Sequence, residues 1–146
     1  MNNQARDGNP AALALRLLTA GGLAVDAYVH ADLASRFDTS GSGISQGTLF
    51  VLEAALSSLA AALILVWGTR LAAALALMVA LSALAAVLVT RYIDVGSLGP
   101  LPDMYDPAWY PEKTLSAFAE ALATLSAAGF LLLRWSGGRA AHRSDH

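Results

Sequence analysis

The run LAAALALMVALSALAAVLVT, Leu71 to Thr90, contains no charged residue. A stretch of about 20 apolar residues is what a helix needs to cross the hydrocarbon core of a bilayer. Inside that core every backbone N–H and C=O has to be bonded within the chain, and a helix does this by itself. Two more segments have the same character with one charge each. GTLFVLEAALSSLAAALILVW, Gly47 to Trp67, carries Glu53, and TLSAFAEALATLSAAGFLLL, Thr114 to Leu133, carries Glu120. A fourth segment, Ala11 to about Leu33, is more polar and contains Arg16, Asp26, His30 and Asp32. The expected spans are therefore about 11–33, 47–67, 71–91 and 114–134, with 135–146 as a tail.

Composition supports the same class. Of 146 residues, 56% are hydrophobic and 14% charged, where a soluble domain carries about 25% charged. The mean hydropathy is +0.53. A net charge of −2 offers nothing to nucleic acid. The absence of cysteine excludes disulfides, thiolate metal sites and dithiol redox chemistry. Abundant Ala, with Arg as eight of the nine basic residues, is the composition of GC-rich bacteria. The expectation is an all-α, four-helix transmembrane bundle, a single integral domain of the bacterial plasma membrane. An alternative for the first segment is a cleaved signal peptide: basic residues, the short apolar run LLTAGGLAV, then small residues near Ala27. Against it, Arg16 comes late and the helical pattern continues past Ala27.

Orientation follows from Lys and Arg in the short flanks. Arg6, Arg16, Arg70, Arg134, Arg139 and Arg143 lie on one side. Arg36, Arg91 and Lys113 lie on the other, diluted by Asp32, Asp38, Asp94, Asp103, Asp106 and Glu112. Both termini are expected in the cytoplasm. Trp67 and Trp135 mark the inner interface; Tyr92, Trp109 and Tyr110 mark the outer one.

Four of the five prolines, Pro100, Pro102, Pro107 and Pro111, fall in DVGSLGPLPDMYDPAWYPEKT, Asp94 to Thr114. Irregular backbone cannot face lipid, so this stretch is expected as a long extracytoplasmic loop between helices 3 and 4. Its prolines stiffen it, and Pro111 suits the first turn of the fourth helix. Leu98, Leu101, Met104, Tyr105 and Trp109 give it an apolar side, so it reads as a lid with Tyr105, Trp109 and Tyr110 as its aromatic residues. The other reading is an interfacial loop whose aromatics touch headgroups. The first outer loop, FDTSGSGISQG, is Gly- and Ser-rich and reads as flexible.

Ionisable residues inside a membrane are costly and mark functional sites. Glu53, Glu120 and Asp26 each lie six or seven residues inward from the loop side of their spans, roughly 9–10 Å deep at ~1.5 Å per residue. His30 stands one turn above Asp26 on the same face, and Arg91 is long enough to reach down from the end of span three. Ser57, Ser116, Thr19, Gly22 and Thr124 share faces with these charges. The candidate cluster is Asp26, His30, Glu53, Arg91 and Glu120. Three readings are open. Arg91 and His30 neutralise the carboxylates structurally; the cluster binds a cation or polar headgroup, with His30, Asp26, Glu53 and Glu120 as possible metal ligands; or a buried carboxyl couples protons. A membrane haem wants two deep histidines, and only His30 qualifies, since His142 and His146 fall in the tail. That tail, SGGRAAHRSDH, reads as disordered.

LRLLTAGGLAVDAYVHADL, opening a four-span chain, resembles the DoxX-like family of small bacterial membrane proteins. Arg16 at the inner end of span one, Gly21 and Gly22 in its middle, and Asp26 or His30 in its outer half carry the resemblance. LGPLPDMYDPAWYPEK is similar to a segment of uncharacterised actinobacterial membrane proteins. The family resemblance implies the four-span fold and an association with quinone-linked redox partners. The expected function is a non-enzymatic binding or accessory protein, alone, as a homo-oligomer or within a larger membrane complex, with a quinone, lipid or small cation as its ligand. The alternatives are a quinone-linked oxidoreductase component and a small proton-coupled transporter.

Overall fold

The computed structural model describes residues 9–37 and 43–143, with side chains described as far as Ser136. Arg6, Asp38, residues 144–146 including His146, and the side chains of Arg139, His142 and Arg143 lie outside that description, as does the tip of the first loop.

Four helices make up the fold: α1 Pro10–Ala34, α2 Gln46–Trp67, α3 Arg70–Tyr92 and α4 Pro111–Arg143. All four are long and apolar enough to cross a membrane. No strand occurs among the described residues. Each helix start has a local cause. Asn9 Oδ1 accepts from the Ala11 N–H at 3.0 Å, and Pro10 occupies a position where no N–H is needed. Ser45 and Thr69 accept from the N–H groups of Thr48 and Ala72 at 3.0 and 3.1 Å. Pro111 opens α4, as its fixed φ favours. Between α2 and α3 stand only Gly68 and Thr69. Gly68 is left-handed, with φ of 54°, and its N–H returns to Ile64 O at 3.1 Å.

One expectation about the tail does not hold. SGGRAAHR is helical and continues α4 as far as Arg143. Two glycines disfavour a helix by about 1 kcal/mol each relative to alanine. A span that is already formed extends without a new nucleation step, so each further residue gains a backbone bond at little entropic cost.

α1 packs against α2 and α4, and α4 against α3; α2 and α3 touch less, and α1 and α3 barely meet across the diagonal. The ring order is thus α1–α2–α3–α4. One end of the bundle, here the loop end, carries residues 93–110; the other carries the Gly68 turn and the start of α1. Inside the ring the residues are small. Ala72, Ala76, Ala80 and Ala83 of α3 and Ala119, Ala123 and Ala127 of α4 recur every three or four positions and are buried. A Cβ on Gly22 would lie 2.7 Å from Ala119 O, so α1 and α4 approach that closely only because Gly22 has none. Leu23, Ile64 and Phe130 are the large residues fully enclosed. Leu17, Val51, Leu59, Met78, Phe118, Leu125 and many others point outward. Small residues inside and large apolar ones outside suit a bundle whose exterior faces lipid.

Candidate functional site

Asp26 is the centre of the site, fully buried on α1. Two serines reach it from the neighbouring helices. Ser57 Oγ of α2 lies 2.7 Å from Asp26 Oδ2, and Ser116 Oγ of α4 lies 2.8 Å from Asp26 Oδ1. Each serine also touches a glutamate one turn along its own helix. Ser57 Oγ is 3.1 Å from Glu53 Oε1, and Ser116 Oγ is 2.8 Å from Glu120 Oε1. The result is an unbroken chain, Glu53–Ser57–Asp26–Ser116–Glu120, across three helices. His30 Nδ1 stands 2.9 Å from Asp26 Oδ1, and the edge of its ring packs on Phe50 with centroids 5.4 Å apart.

A serine hydroxyl has one hydrogen to donate. Two hydroxyls therefore supply two hydrogens to four carboxyl contacts. If both hydroxyls donate to Asp26, then Glu53 and Glu120 each need a proton, or a cation nearby, to hold their own contact. Among the described residues, no basic group but His30 comes within ion-pair distance of any of these three carboxylates, and His30 pairs with Asp26. Three acids thus face one imidazole. Glu120 Oε2, in a fully buried side chain, has no hydrogen-bond partner, and neither has Thr124 Oγ1 one turn further in.

Beside the cluster lies a cavity of about 350 Å³. His30, Glu53 and Ser116 form its polar floor. Much of its wall is apolar, with Leu52 and Leu56 from α2, Ala83, Ala86 and Val87 from α3, and Leu101 and Met104 from the proline-rich segment, while Gln46, Asp106 and Lys113 also line it. Leu52, Leu56 and Ala86 are also exposed on the outside of the bundle. The mouth therefore lies where α2 and α3 pack least closely.

The proline-rich segment is tied down over this cavity. The Asp106 N–H donates to Thr90 O at 2.9 Å, and the Ile44 N–H donates to Pro100 O at 3.2 Å. Asp94, Asp103 and Asp106 each accept an N–H two residues on, which folds the segment into local turns. Lys113, only 7% exposed in its side chain, lies 3.3 Å from Asp106 Oδ2 and also donates to Asp106 O. Arg36 bridges Asp32 and Glu112 at 2.8 and 3.1 Å, joining the end of α1 to the start of α4. Tyr110 lines the cavity. Burial, and then the neighbouring Asp106 charge, push its hydroxyl from 10.0 up to about 12, so it stays a neutral donor.

The structure thus brings Asp26, His30, Glu53 and Glu120 together and leaves Arg91 out. The Arg91 guanidinium lies over the rings of Tyr92 and Trp109, at 4.9 and 5.8 Å, and has no ion pair among the described residues. α3 is diagonal to α1, which carries Asp26 and His30, and it lines the cavity with Ala83, Ala86, Val87 and Thr90. The aromatic residues also divide. Tyr110 lines the cavity, whereas Tyr105 and Trp109 do not and remain exposed. Ser57 and Ser116 are site residues beyond those singled out as candidates. Their signal was present: each stands four residues from a glutamate on the same helical face.

No protein-family model, curated protein or solved structure matches the chain. The resemblance to the DoxX-like family therefore rests on the α1 residues that carry it.

Proposed function

We propose that this is a binding or accessory protein of the bacterial plasma membrane, with both termini cytoplasmic, that takes a small amphiphile from the outer leaflet. The cavity is the observation that carries this reading. Its walls are mostly apolar, Glu53, His30 and Ser116 give it a polar side, and the lining residues exposed on the outside, Leu52, Leu56 and Ala86, stand between α2 and α3. An apolar tail fits the walls and a hydrogen-bonding or cationic head fits the floor. The segment 93–110 then serves as the extracytoplasmic lid, held by Asp106 and Lys113. A quinone is the second reading, supported by the same floor, since a ring carbonyl beside His30 finds a donor there.

The test is extraction of the protein in mild detergent and mass spectrometry of what copurifies. The expected result is an amphiphile or quinone on the wild-type chain that is depleted at least tenfold on Ala83→Phe, which fills the cavity wall. Identical small-molecule profiles for the two proteins would end this proposal.

A further inference from the structure

We infer that Asp26, His30 and Glu120 form a binding site for one divalent first-row transition-metal ion beside the cavity, which His30 lines. One donor atom from each of the three lies within 4.8 Å of the other two, and all three residues are buried. A second observation points to a ligand. Glu120 Oε2 is enclosed in a side chain with no solvent exposure and has no hydrogen-bond partner. A buried carboxylate oxygen without a partner is costly, and native structures keep such atoms where something else binds.

Charge favours a metal over a further hydrogen bond. Three carboxylates lie near a single imidazole, and Arg91, at this end of α3, is turned away onto Tyr92 and Trp109. One divalent ion offsets the charge of the two carboxylates that would ligate it, with His30 as a neutral third ligand. The donor set selects the kind of ion. Imidazole with two carboxylates suits the manganese-to-zinc series, whereas Ca²⁺ takes six to eight oxygens. Ser57 and Ser116 are built as the outer supports, since each bonds a carboxylate oxygen of Asp26 and so fixes the orientation of that ligand. Glu53 is outside the triad and lines the cavity. The site does not depend on what fills the cavity.

The experiment uses the full chain without a histidine tag and with His142→Ala and His146→Ala, so that the tail offers no imidazole. The protein is stripped with chelator in detergent, reloaded with equimolar Zn²⁺ or Co²⁺, desalted and analysed by elemental mass spectrometry and cobalt absorption. The expected result is one ion per chain, a visible Co²⁺ d–d band, and a higher melting temperature with Zn²⁺ than without. Glu120→Gln and His30→Ala should each lower occupancy at least tenfold, while Glu53→Gln retains the ion. Should the variants not fold, the wild-type measurement decides alone. A reloaded wild-type chain with no bound Zn²⁺, or with the same occupancy as Glu120→Gln, means an adventitious ion only and overturns the site; protons would then be what neutralises the carboxylates.

Discussion

At the scale of single residues, Arg91 and Arg16 exchange the parts their positions suggest. Arg91, beside three buried acids in sequence depth, stacks on Tyr92 and Trp109 instead. Arg16, which reads as an inner-flank charge, caps a neighbouring helix. Its Nε and Nη2 donate to Ile64 O and Leu65 O at 3.2 and 2.7 Å, satisfying carbonyls at the end of α2. For Arg91→Ala, which removes a half-buried cation–π contact, the expected loss is about 0.5–2 kcal/mol. Combined with Glu53→Gln or Glu120→Gln, its effect on melting temperature in detergent should simply add. A strongly non-additive double mutant would show that Arg91 is paired with those acids after all. Depth along a helix was readable from residue counting, and so was the convergence of Asp26, Glu53 and Glu120. The direction of the Arg91 side chain was not, because it depends on which helices are neighbours in the ring.

At the scale of elements, the α2–α3 hairpin is fixed at one end and loosely packed at the other. Arg16 fills the space where a Cβ of Gly68 would stand, 2.5 Å from its Cζ, so the turn and the cap form one unit. Arg16→Ala should lower stability by about 1.5–3 kcal/mol, the range for hydrogen bonds to a charged group. Arg16→Lys should recover only part, since an ammonium lacks the planar fork that reaches two carbonyls. Thermal unfolding in detergent measures both, and a melting temperature for Arg16→Ala equal to wild type rules the cap out as a contributor. The helices themselves were legible because lipid leaves a chain few other options: uncharged runs such as Leu71–Thr90 must be helical. The tail was not. SGGRAAHRSDH reads as disordered, yet α4 continues into it as far as Arg143, and nothing local to the sequence records how well a preformed span supports further turns.

At the scale of the whole molecule, the loop-end segment and the four spans together define a sidedness. The excess of Arg at the other end is what supports the proposed placement of 93–110 outside. The chain has no cysteine, so single cysteines report cleanly. Leu98→Cys, at an exposed position of the segment, should react with a membrane-impermeant maleimide in intact cells, and Ser144→Cys should react only after lysis. The reverse pattern would invert the bundle and place the cavity in the inner leaflet. That the proline-rich segment lies against a cavity was partly visible in its apolar residues, but only Leu101, Met104 and Tyr110 among the hydrophobic ones line the space. Which side of an irregular segment faces inward is set by its turns at Asp94, Asp103 and Asp106, and these have no periodicity to read.

The gap between Leu52, Leu56 and Ala86 has a consequence for how any occupant is counted. On the proposed membrane placement, a molecule that enters there has already left water, and its reservoir is the bilayer. Its occupancy then follows its mole fraction among the lipids, and two ligands with identical contacts in the cavity would differ in apparent affinity by the ratio of their partition coefficients. Diluting the protein with extra lipid, at constant total ligand, would empty the cavity without any change in the protein itself.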